Sequence, residues 1–402
     1  MPEIPGMNSR WFSLALTLST AVALSAADAP KLAGIGAAMQ AMVASNEVAG
    51  AVTVVVGRDK VLHLEGTGFA DIATKKPMTP DTLFWIASMT KPVTGTAVLM
   101  LQDEGKLKVS DPVAKYLPEF ANLKTPSGKP ANLTIAQILT HTSGLGEAGG
   151  PAAQQAKTLA DLVPLWLAAP MQFEPGEKWR YCQSGINAAS RIVEVVSGMT
   201  FDAFLQARLF DPLGMKHTTF YLGDAERAAL VTAYAKNKDT GSLEPVAPRA
   251  DFGQRNRPPL GNGGLYSTAT DYARFCQMQL NGGELDGRRY LSPAALKFLS
   301  TPQTPDSMPT GFFQGGVFGQ HGTNYGWGIG TCVLKTPHEG VPAMLSPGTF
   351  GHGGAWGTQA WIDPVKGVAY VLMVQRSNFP NSDASDVRRV FQQAAVEALG
   401  KR

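Results

Sequence analysis

The stretch GAVTVVVGRDKVLHLEGTG, residues 50 to 68, contains two β-rich runs on either side of a Gly-Arg-Asp turn. Such a pattern predicts a β-hairpin. Near the other end of the chain, WGTQAWIDP (356 to 364) and GVAYVLMVQR (367 to 376) are typical of two further strands around a DPVKG turn. Strands at the two ends of a chain commonly pair when a long insertion separates them, so we expect one antiparallel sheet built from both ends.

Between these strands the periodicity is mostly helical, and Gly and Pro clusters separate the segments. The helical segments are TIAQILTH, LADLVPLWLAA, GINAASRIVEVVSG, FDAFLQARLF, TATDYARFCQMQLNGG and SPAALKFLS. A last amphipathic helix, DASDVRRVFQQAAVEALG, closes the chain. The predicted class is therefore α+β: an antiparallel sheet of N- and C-terminal strands flanked by helices, with a mostly helical second lobe inserted at roughly 107 to 300 of a domain spanning 30 to 399. A cleft between the lobes is the expected site.

The composition indicates a globular protein with few partners beyond its substrate. Of 402 residues, 44% are hydrophobic and 17% are charged, and the net charge is +3. A mild surplus without a block of Lys and Arg gives no reason to expect nucleic acid as a partner. The expected partner is a small-molecule or peptide substrate, and the sequence leaves the oligomeric state open.

The N-terminus has the pattern of a secretory signal peptide. Arg10 precedes the apolar stretch WFSLALTLSTAVALSAA (11 to 27), which ends in the small residues Ser25 and Ala27. The stretch is short for a bilayer span, which needs about 20 residues. We therefore expect residues 1 to 27 to be cleaved from an exported, periplasmic or secreted protein without a stable membrane span; a retained N-terminal anchor is the alternative.

The three cysteines, Cys182, Cys276 and Cys332, are widely spaced and odd in number. They form no CxxC or Cys/His pattern, and the chain contains no HExxH and no P-loop. We expect no metal and no cofactor. Three buried thiols are expected, although one disulfide is compatible with the sequence.

The run IASMTKPVTG (86 to 95) places Ser88 and Lys91 three residues apart in a helical segment. Residues at this spacing lie on one face of a helix, so the amine can reach the hydroxyl. A neutral lysine in a dry cleft can accept the serine proton, which makes the pair a candidate nucleophile and base. The S-x-x-K pattern alone is weak, and two residues on a helix surface would produce it too.

A second candidate element is PGEKWRYCQSG (175 to 185), which places Tyr181 at the start of the helix beginning GINAAS. A tyrosine acts as a base for serine only when a cation stabilises its phenolate. Gln183 is positioned to hold a substrate amide or the lysine. The alternative is a tyrosine packed by its ring with a wet hydroxyl.

The third element is FGHGGAWGTQAW (350 to 361), in which glycines flank His352. We expect an edge strand beside the cleft, where Gly353 and Gly354 allow a ligand or another backbone to come close. His352 is expected to face the substrate, and the N–H of Ala355 can join that of Ser88 in an oxyanion hole. A Gly-rich turn with a surface histidine would give the same pattern.

Together these pieces, in this order, resemble the serine β-lactamase and penicillin-binding protein superfamily. The likeness is to class C β-lactamases, D-alanyl-D-alanine carboxypeptidases and related esterases, and it extends from about Val52 to the C-terminal helix. The segments LTHTSGL (139 to 145), DPLGM (211 to 215) and GNGGLYSTATDYARF (261 to 275) add to it. The family fold agrees with the architecture expected from the strand and helix pattern.

The resemblance implies roles for named residues. Ser88 would be the acylated nucleophile, Lys91 its activating partner and Tyr181 a shared base. Gln183 stands where the family usually has the Asn of Y-x-N. The triplet His352-Gly353-Gly354 stands where the family has K-T-G, and the backbones of Ser88 and Ala355 would hold the oxyanion.

The resemblance implies an exported serine hydrolase that forms an acyl-enzyme on Ser88 with amide or ester carbonyls of β-lactam or D-amino-acid peptide type. Two alternatives stay open: a carboxylesterase with little β-lactam activity, and a penicillin- or peptidoglycan-binding protein without efficient turnover. His for Lys at position 352 favours the esterase, because a histidine of ordinary pKa near about 6.5 is mostly neutral at pH 7. If His352 binds carboxylate substrates, their KM should fall as the pH drops toward 6.

Overall fold

The computed structural model describes residues 29–247, 254–310 and 322–401. The predicted signal peptide lies outside the described residues, so its cleavage stays a prediction. Within the described ranges, no helix combines the length and apolar character needed to cross a bilayer. All three cysteines are buried and unbridged.

The central feature of the described chain is an eight-stranded antiparallel sheet with the strand order β10-β11-β12-β13-β14-β1-β2-β3. Its strands are β1 Gly50–Gly57, β2 Val61–Asp71, β3 Lys76–Pro77, β10 Tyr325–Trp327, β11 Cys332–Leu334, β12 Phe350–Gly353, β13 Gln359–Asp363 and β14 Val368–Met373. The hairpin β1–β2 and the pairing of β1 with β14 are both present. The predicted sheet from the two ends of the chain is therefore confirmed.

Helices cover both faces of this sheet, and most of them come from the middle of the chain. They are α1 Ile35–Ala44, α2 Thr90–Asp103, α3 Ile135–Leu139, α4 Gly150–Gln155, α5 Leu159–Ala168, α6 Gln183–Ser197, α7 Phe201–Leu205, α8 Asp211–Leu213, α9 Asp224–Ala229, α10 Ala269–Leu280, α11 Pro293–Ser300 and α12 Asp386–Gly400. The middle also holds short strand pairs that helical periodicity did not predict. They are β4 Phe84–Trp85 with β7 Tyr266–Ser267, β5 Tyr234–Lys236 with β6 Leu243–Pro245, and β8 Glu284–Leu285 with β9 Arg288–Arg289.

Strand β1 reads as a continuous apolar run because both of its faces are buried. Val52, Val54 and Val56 face a large core that includes α2, α6 and α10, whereas Ala51 and Val55 face a smaller core with α1 and α12. Strand β14 alternates between the same two cores. The sheet is thus the wall between two hydrophobic cores, and its position is fixed from both sides.

Strand β12, which carries His352, differs from the expected edge strand. It lies inside the sheet, between β11 and β13. The pairing with β11 involves Phe350 and Gly351, whereas β13 pairs along the whole strand. The C-terminal end of β12 therefore extends beyond its pairing with β11 and approaches the turn that contains Ser88.

We predict that Leu372→Ala lowers the free energy of unfolding by about 2–5 kcal/mol, because Leu372 in β14 is fully buried and its truncation leaves a cavity. Urea denaturation followed by circular dichroism measures this change. Val365→Ala, in the exposed β13–β14 turn, is the matched control and should stay within about 0.5 kcal/mol of wild type. Equal stability of the two variants would contradict the assigned burial of β14.

Candidate active site

Ser88 lies in a short 3-10 turn, Ala87–Met89, that leads directly into α2. Ala87 has a φ of 45°, a left-handed conformation that costs a non-glycine residue about 1–3 kcal/mol. The turn is held in place by Thr90, whose hydroxyl donates to the Ala87 carbonyl at 2.7 Å and accepts the Leu265 N–H at 3.2 Å. Strand β4 precedes this turn and α2 follows it, and the Ser88 side chain is partly exposed next to the strained Ala87.

Lys91 is buried on the same side of α2 as Ser88. Its Nζ lies 3.0 Å from Ser88 Oγ and 2.6 Å from the carbonyl oxygen of Asn262. Burial lowers the pKa of Lys91 to about 7, against a weaker opposing effect of the Glu147 carboxylate. Near neutral pH a large fraction of Lys91 is therefore uncharged and able to accept a proton from Ser88.

Tyr181 stands just before α6, with its hydroxyl in the same cluster. The hydroxyl lies 3.3 Å from His352 Nε2 and hydrogen-bonds with Ser88. Lys91 Nζ sits over the Tyr181 ring, 4.6 Å from the ring centroid. Burial raises the pKa of Tyr181 above its usual value, so Tyr181 keeps its proton at neutral pH. A tyrosine acts as a base only when a cation stabilises its phenolate. Lys91 meets this requirement weakly, because its amine faces the Tyr181 ring.

The start of α6 is fixed by a carboxylate. Glu147 accepts the backbone N–H groups of Gln183 (2.6 Å) and Ser184 (3.0 Å), together with the Ser184 hydroxyl at 3.0 Å. An anion at this position satisfies N–H groups that the first turn of a helix leaves unpaired. Glu147 thereby positions the segment that carries Tyr181 and Gln183.

His352 is 1% exposed and faces Tyr181 across the cluster. Its Nδ1 lies 2.6 Å from the carbonyl oxygen of Gly353, which can only accept, so Nδ1 carries the proton. Nε2 of the neutral ring is then the acceptor for the Tyr181 hydroxyl. Burial, and next the charge of Lys91, lower the pKa of His352 well below its usual value. His352 is thus a neutral partner of Tyr181, and at pH 6 it stays uncharged.

The two glycines after His352 are explained by close packing. A Cβ on Gly354 would lie 2.6 Å from the backbone oxygen of Ile86, two residues before Ser88. A Cβ on Gly353 would lie 1.9 Å from Asp383 Oδ1. Gly354 therefore lets the end of β12 touch the segment leading to Ser88, which brings the Ala355 backbone to the side of the nucleophile. The N–H groups of Gly354 and Gly357 form the hydrogen bonds of this turn, and within the described part of the chain the N–H of Ala355 takes part in no backbone hydrogen bond.

Gln183 is linked to Lys91 through Asn262, a residue that the sequence did not predict to be part of the site. Gln183 Oε1 accepts from Asn262 Nδ2 at 2.9 Å, and the Asn262 carbonyl accepts from Lys91 at 2.6 Å. The backbone N–H of Asn262 is in turn held by Asn187 of α6 at 3.1 Å. The GNGG segment at 261 to 264 was a signal for Asn262, but only the structure gives this residue a position against Lys91.

His141, in the LTHTSGL segment, is a second residue without a predicted role. Its ring is fully buried 4.5 Å from the Tyr181 ring, and its Nδ1 accepts the Cys182 N–H at 3.1 Å. Its backbone has a φ of 62°. His141 Nε2 has no hydrogen-bond partner among the described residues. His141 therefore contributes to the wall that positions Tyr181.

The structure thus brings all the sequence-predicted site residues to one place. The hydrogen bonds join Lys91, Ser88, Tyr181 and His352 in a continuous series that ends at the Gly353 carbonyl. Such a series can move a proton away from a serine and deliver one to a leaving group. Within the described ranges, His, Cys, Asp and Glu side chains form no group suited to a metal ion.

Comparison with solved structures places the fold. The structure of EstCE1, a hydrolase with promiscuous acyltransferase activity, matches with a TM-score of 0.75 over 90% of this chain and 97% of that chain. The two sequences are 22% identical, so this likeness concerns the fold alone.

Sequence comparison adds two relatives and a family. An uncharacterised protein of Mycobacterium tuberculosis is 34% identical over 364 residues, which cover 84% of this chain and 88% of that protein. Esterase EstB of Burkholderia gladioli is 29% identical over 385 residues, covering 86% of this chain and 91% of the esterase. The β-lactamase family model matches residues 35–395. With this match and the sheet described above, the chain belongs to the β-lactamase family of serine hydrolases.

Proposed function

We propose that the protein is a serine esterase that works through an acyl-enzyme on Ser88. The observation that carries this proposal is the buried Lys91, which has a pKa of about 7 and lies 3.0 Å from the Ser88 hydroxyl. A base with this pKa at this distance activates a serine at neutral pH. The similarity to esterase EstB supports the ester as the substrate class.

In the proposed reaction, neutral Lys91 takes the Ser88 proton while Ser88 Oγ bonds to the ester carbonyl carbon. The N–H groups of Ser88 and Ala355 hold the resulting oxyanion. When the ester C–O bond breaks, the Tyr181 hydroxyl gives its proton to the leaving oxygen, and the Lys91 ammonium returns a proton to Tyr181. Water then attacks the acyl carbon while Lys91 takes a proton from it, the bond between Ser88 Oγ and that carbon breaks, and Lys91 returns the proton to Ser88 Oγ as the acid is released.

The charge of the site favours a neutral ester over a β-lactam. A β-lactam carries a carboxylate, and the family resemblance assigns the recognition of that carboxylate to the lysine of K-T-G. His352 replaces this cation and stays neutral because it is buried. We therefore propose that Gln183 and the Gly353–Ala355 backbone bind the substrate through neutral hydrogen bonds, with His352 acting on Tyr181.

We predict that Ser88→Ala lowers kcat/KM for p-nitrophenyl butyrate at least about a thousandfold, because the variant has no nucleophile. Intact mass measured after rapid mixing should show the acyl adduct on wild type and none on the variant. Ser110→Ala, at an exposed position, is the matched control and should retain wild-type turnover. A Ser88→Ala enzyme with near wild-type rate would remove Ser88 from the mechanism.

We predict that kcat/KM for the same neutral ester falls about tenfold per pH unit below pH 7 and is level above it. Lys91 must be uncharged to accept the serine proton, and its pKa is about 7. The substrate has no titrating group, so the apparent pKa belongs to the enzyme. A profile that stays level from pH 5.5 to 8.5 would contradict the assignment of Lys91 as the base.

We predict that His352 contributes nothing to the pH dependence of carboxylate binding between pH 6 and 8. The sequence expectation of a KM that falls toward pH 6 assumed an ordinary histidine, whereas burial lowers the pKa of His352. The KM of a penicillin divided by that of a neutral ester should therefore follow one pH curve in wild type and His352→Gln. A ratio that falls toward pH 6 in wild type alone would show a protonated His352.

A further inference from the structure

We infer that a cavity between Trp85 and Trp356 is the binding site for the acyl group of the substrate, and that it takes a short apolar chain. The inference rests on the proposed esterase function and names its substrate class. The cavity has a volume of about 230 Å³, and its apolar lining includes Trp85, Leu230, Val231, Tyr266 and Trp356.

Two connections link the lining of the cavity to the backbone next to Ser88 and Ala355. Trp356 directly follows Ala355, whose N–H is the proposed oxyanion donor. The Trp85 indole N–H donates to the Gly263 carbonyl at 2.7 Å, and Gly263 packs on Ala87, the neighbour of Ser88. Trp85 and Trp356 thus belong to the two backbone segments whose N–H groups, at Ser88 and Ala355, are the proposed oxyanion donors.

The two rings form a fixed apolar wall. They pack edge to face with their centroids 4.8 Å apart. Two polar side chains of the lining are bonded within the protein: Gln375 Oε1 accepts the backbone N–H of Trp85 at 3.1 Å, and the Thr232 hydroxyl donates to Asp71 at 2.6 Å. The lining also includes Arg227, an exposed residue of α9. A ligand in this cavity therefore meets mainly aromatic and aliphatic surface, and an alkyl or small aryl group gains the most from contact with it.

The position of the leaving group indicates that the cavity holds the acyl group of the ester. The leaving oxygen must lie near Tyr181, which supplies its proton. Tyr181 belongs to a cluster with Trp179, Trp327 and His352, and none of these residues lines the cavity. With the carbonyl oxygen between the Ser88 and Ala355 N–H groups, the substituent that points away from Tyr181 is the acyl chain.

The volume of the cavity limits the length of the acyl chain. Pockets for drug-sized ligands span about 300–1,000 Å³, so a cavity of about 230 Å³ suits a chain of a few carbons. Each methylene that enters should raise kcat/KM about fourfold, the equivalent of about 0.8 kcal/mol. Chains too long for the cavity should gain nothing more.

The test measures kcat/KM for p-nitrophenyl acetate, butyrate, hexanoate, octanoate and decanoate, in which the leaving group is constant. Wild type should show an optimum at an intermediate chain. Leu230→Trp fills the cavity and should move the optimum to a shorter chain, whereas Trp356→Ala opens it and should move the optimum to a longer one. Val365→Ala, on the exposed β13–β14 turn, should keep the wild-type optimum.

The outcomes separate this inference from the function on which it rests. Ester turnover with the same optimum in wild type, Leu230→Trp and Trp356→Ala would overturn the acyl site and leave the Ser88 esterase standing. Absence of any acyl adduct on Ser88 would overturn the esterase, and the acyl site with it. If either variant does not fold, the wild-type affinity for n-alkylboronic acids, which bond to a serine oxygen, decides: affinity must rise with chain length, and a level series overturns the inference.

Discussion

The chemistry of this molecule depends on a lysine held where water cannot solvate its charge. Lys91 is fully buried, and among the residues that the structure describes its amine contacts a serine hydroxyl, a backbone carbonyl and the face of a tyrosine ring. None of these contacts supplies a negative charge that would stabilise an ammonium, so desolvation prevails and the pKa falls to about 7. The proposed base is suited to neutral pH because no carboxylate pairs with Lys91 among the described residues; the largest opposing effect comes from the Glu147 carboxylate at the start of α6.

The position of that lysine depends in turn on the sheet. Strands β1 and β14 are buried on both faces, which fixes the order and tilt of the neighbouring strands β13 and β12. The end of β12 then meets the Ser88 turn at a distance that only glycine permits at position 354. The strained Ala87 belongs to the same contact, because the turn must place the Ser88 side chain toward the cleft while its backbone follows β4. The energy of two hydrophobic cores thus holds a costly backbone conformation at the nucleophile.

Much of this arrangement was readable in the sequence, and the reason is physical. Strands β1 and β14 are apolar over almost their full length, as strands between two cores must be. The candidate site residues lie in short segments rich in Gly, Pro and polar residues, which stand out from the helices around them. Properties that depend on packing could not be predicted from the sequence. The sequence gives no sign that Asn262 lies between Gln183 and Lys91, or that His352 points to Tyr181. The cavity between Trp85 and Trp356 also joins residues that are far apart in the chain.

His352 shows how packing can reverse an inference from residue type. From residue type alone, a histidine in place of a lysine indicates a cation whose charge depends on the pH. Once it is enclosed, its proton on Nδ1 is fixed by the Gly353 carbonyl and its Nε2 turns to the Tyr181 hydroxyl. In the proposed site, position 352 therefore orients the Tyr181 hydroxyl instead of attracting an anion. A site with a neutral histidine, a protonated tyrosine and a partly neutral lysine stores little charge of its own. Such a site is suited to substrates that are neutral as well, and in the proposed acyl site the apolar surface between Trp85 and Trp356 would supply the binding energy that charge does not.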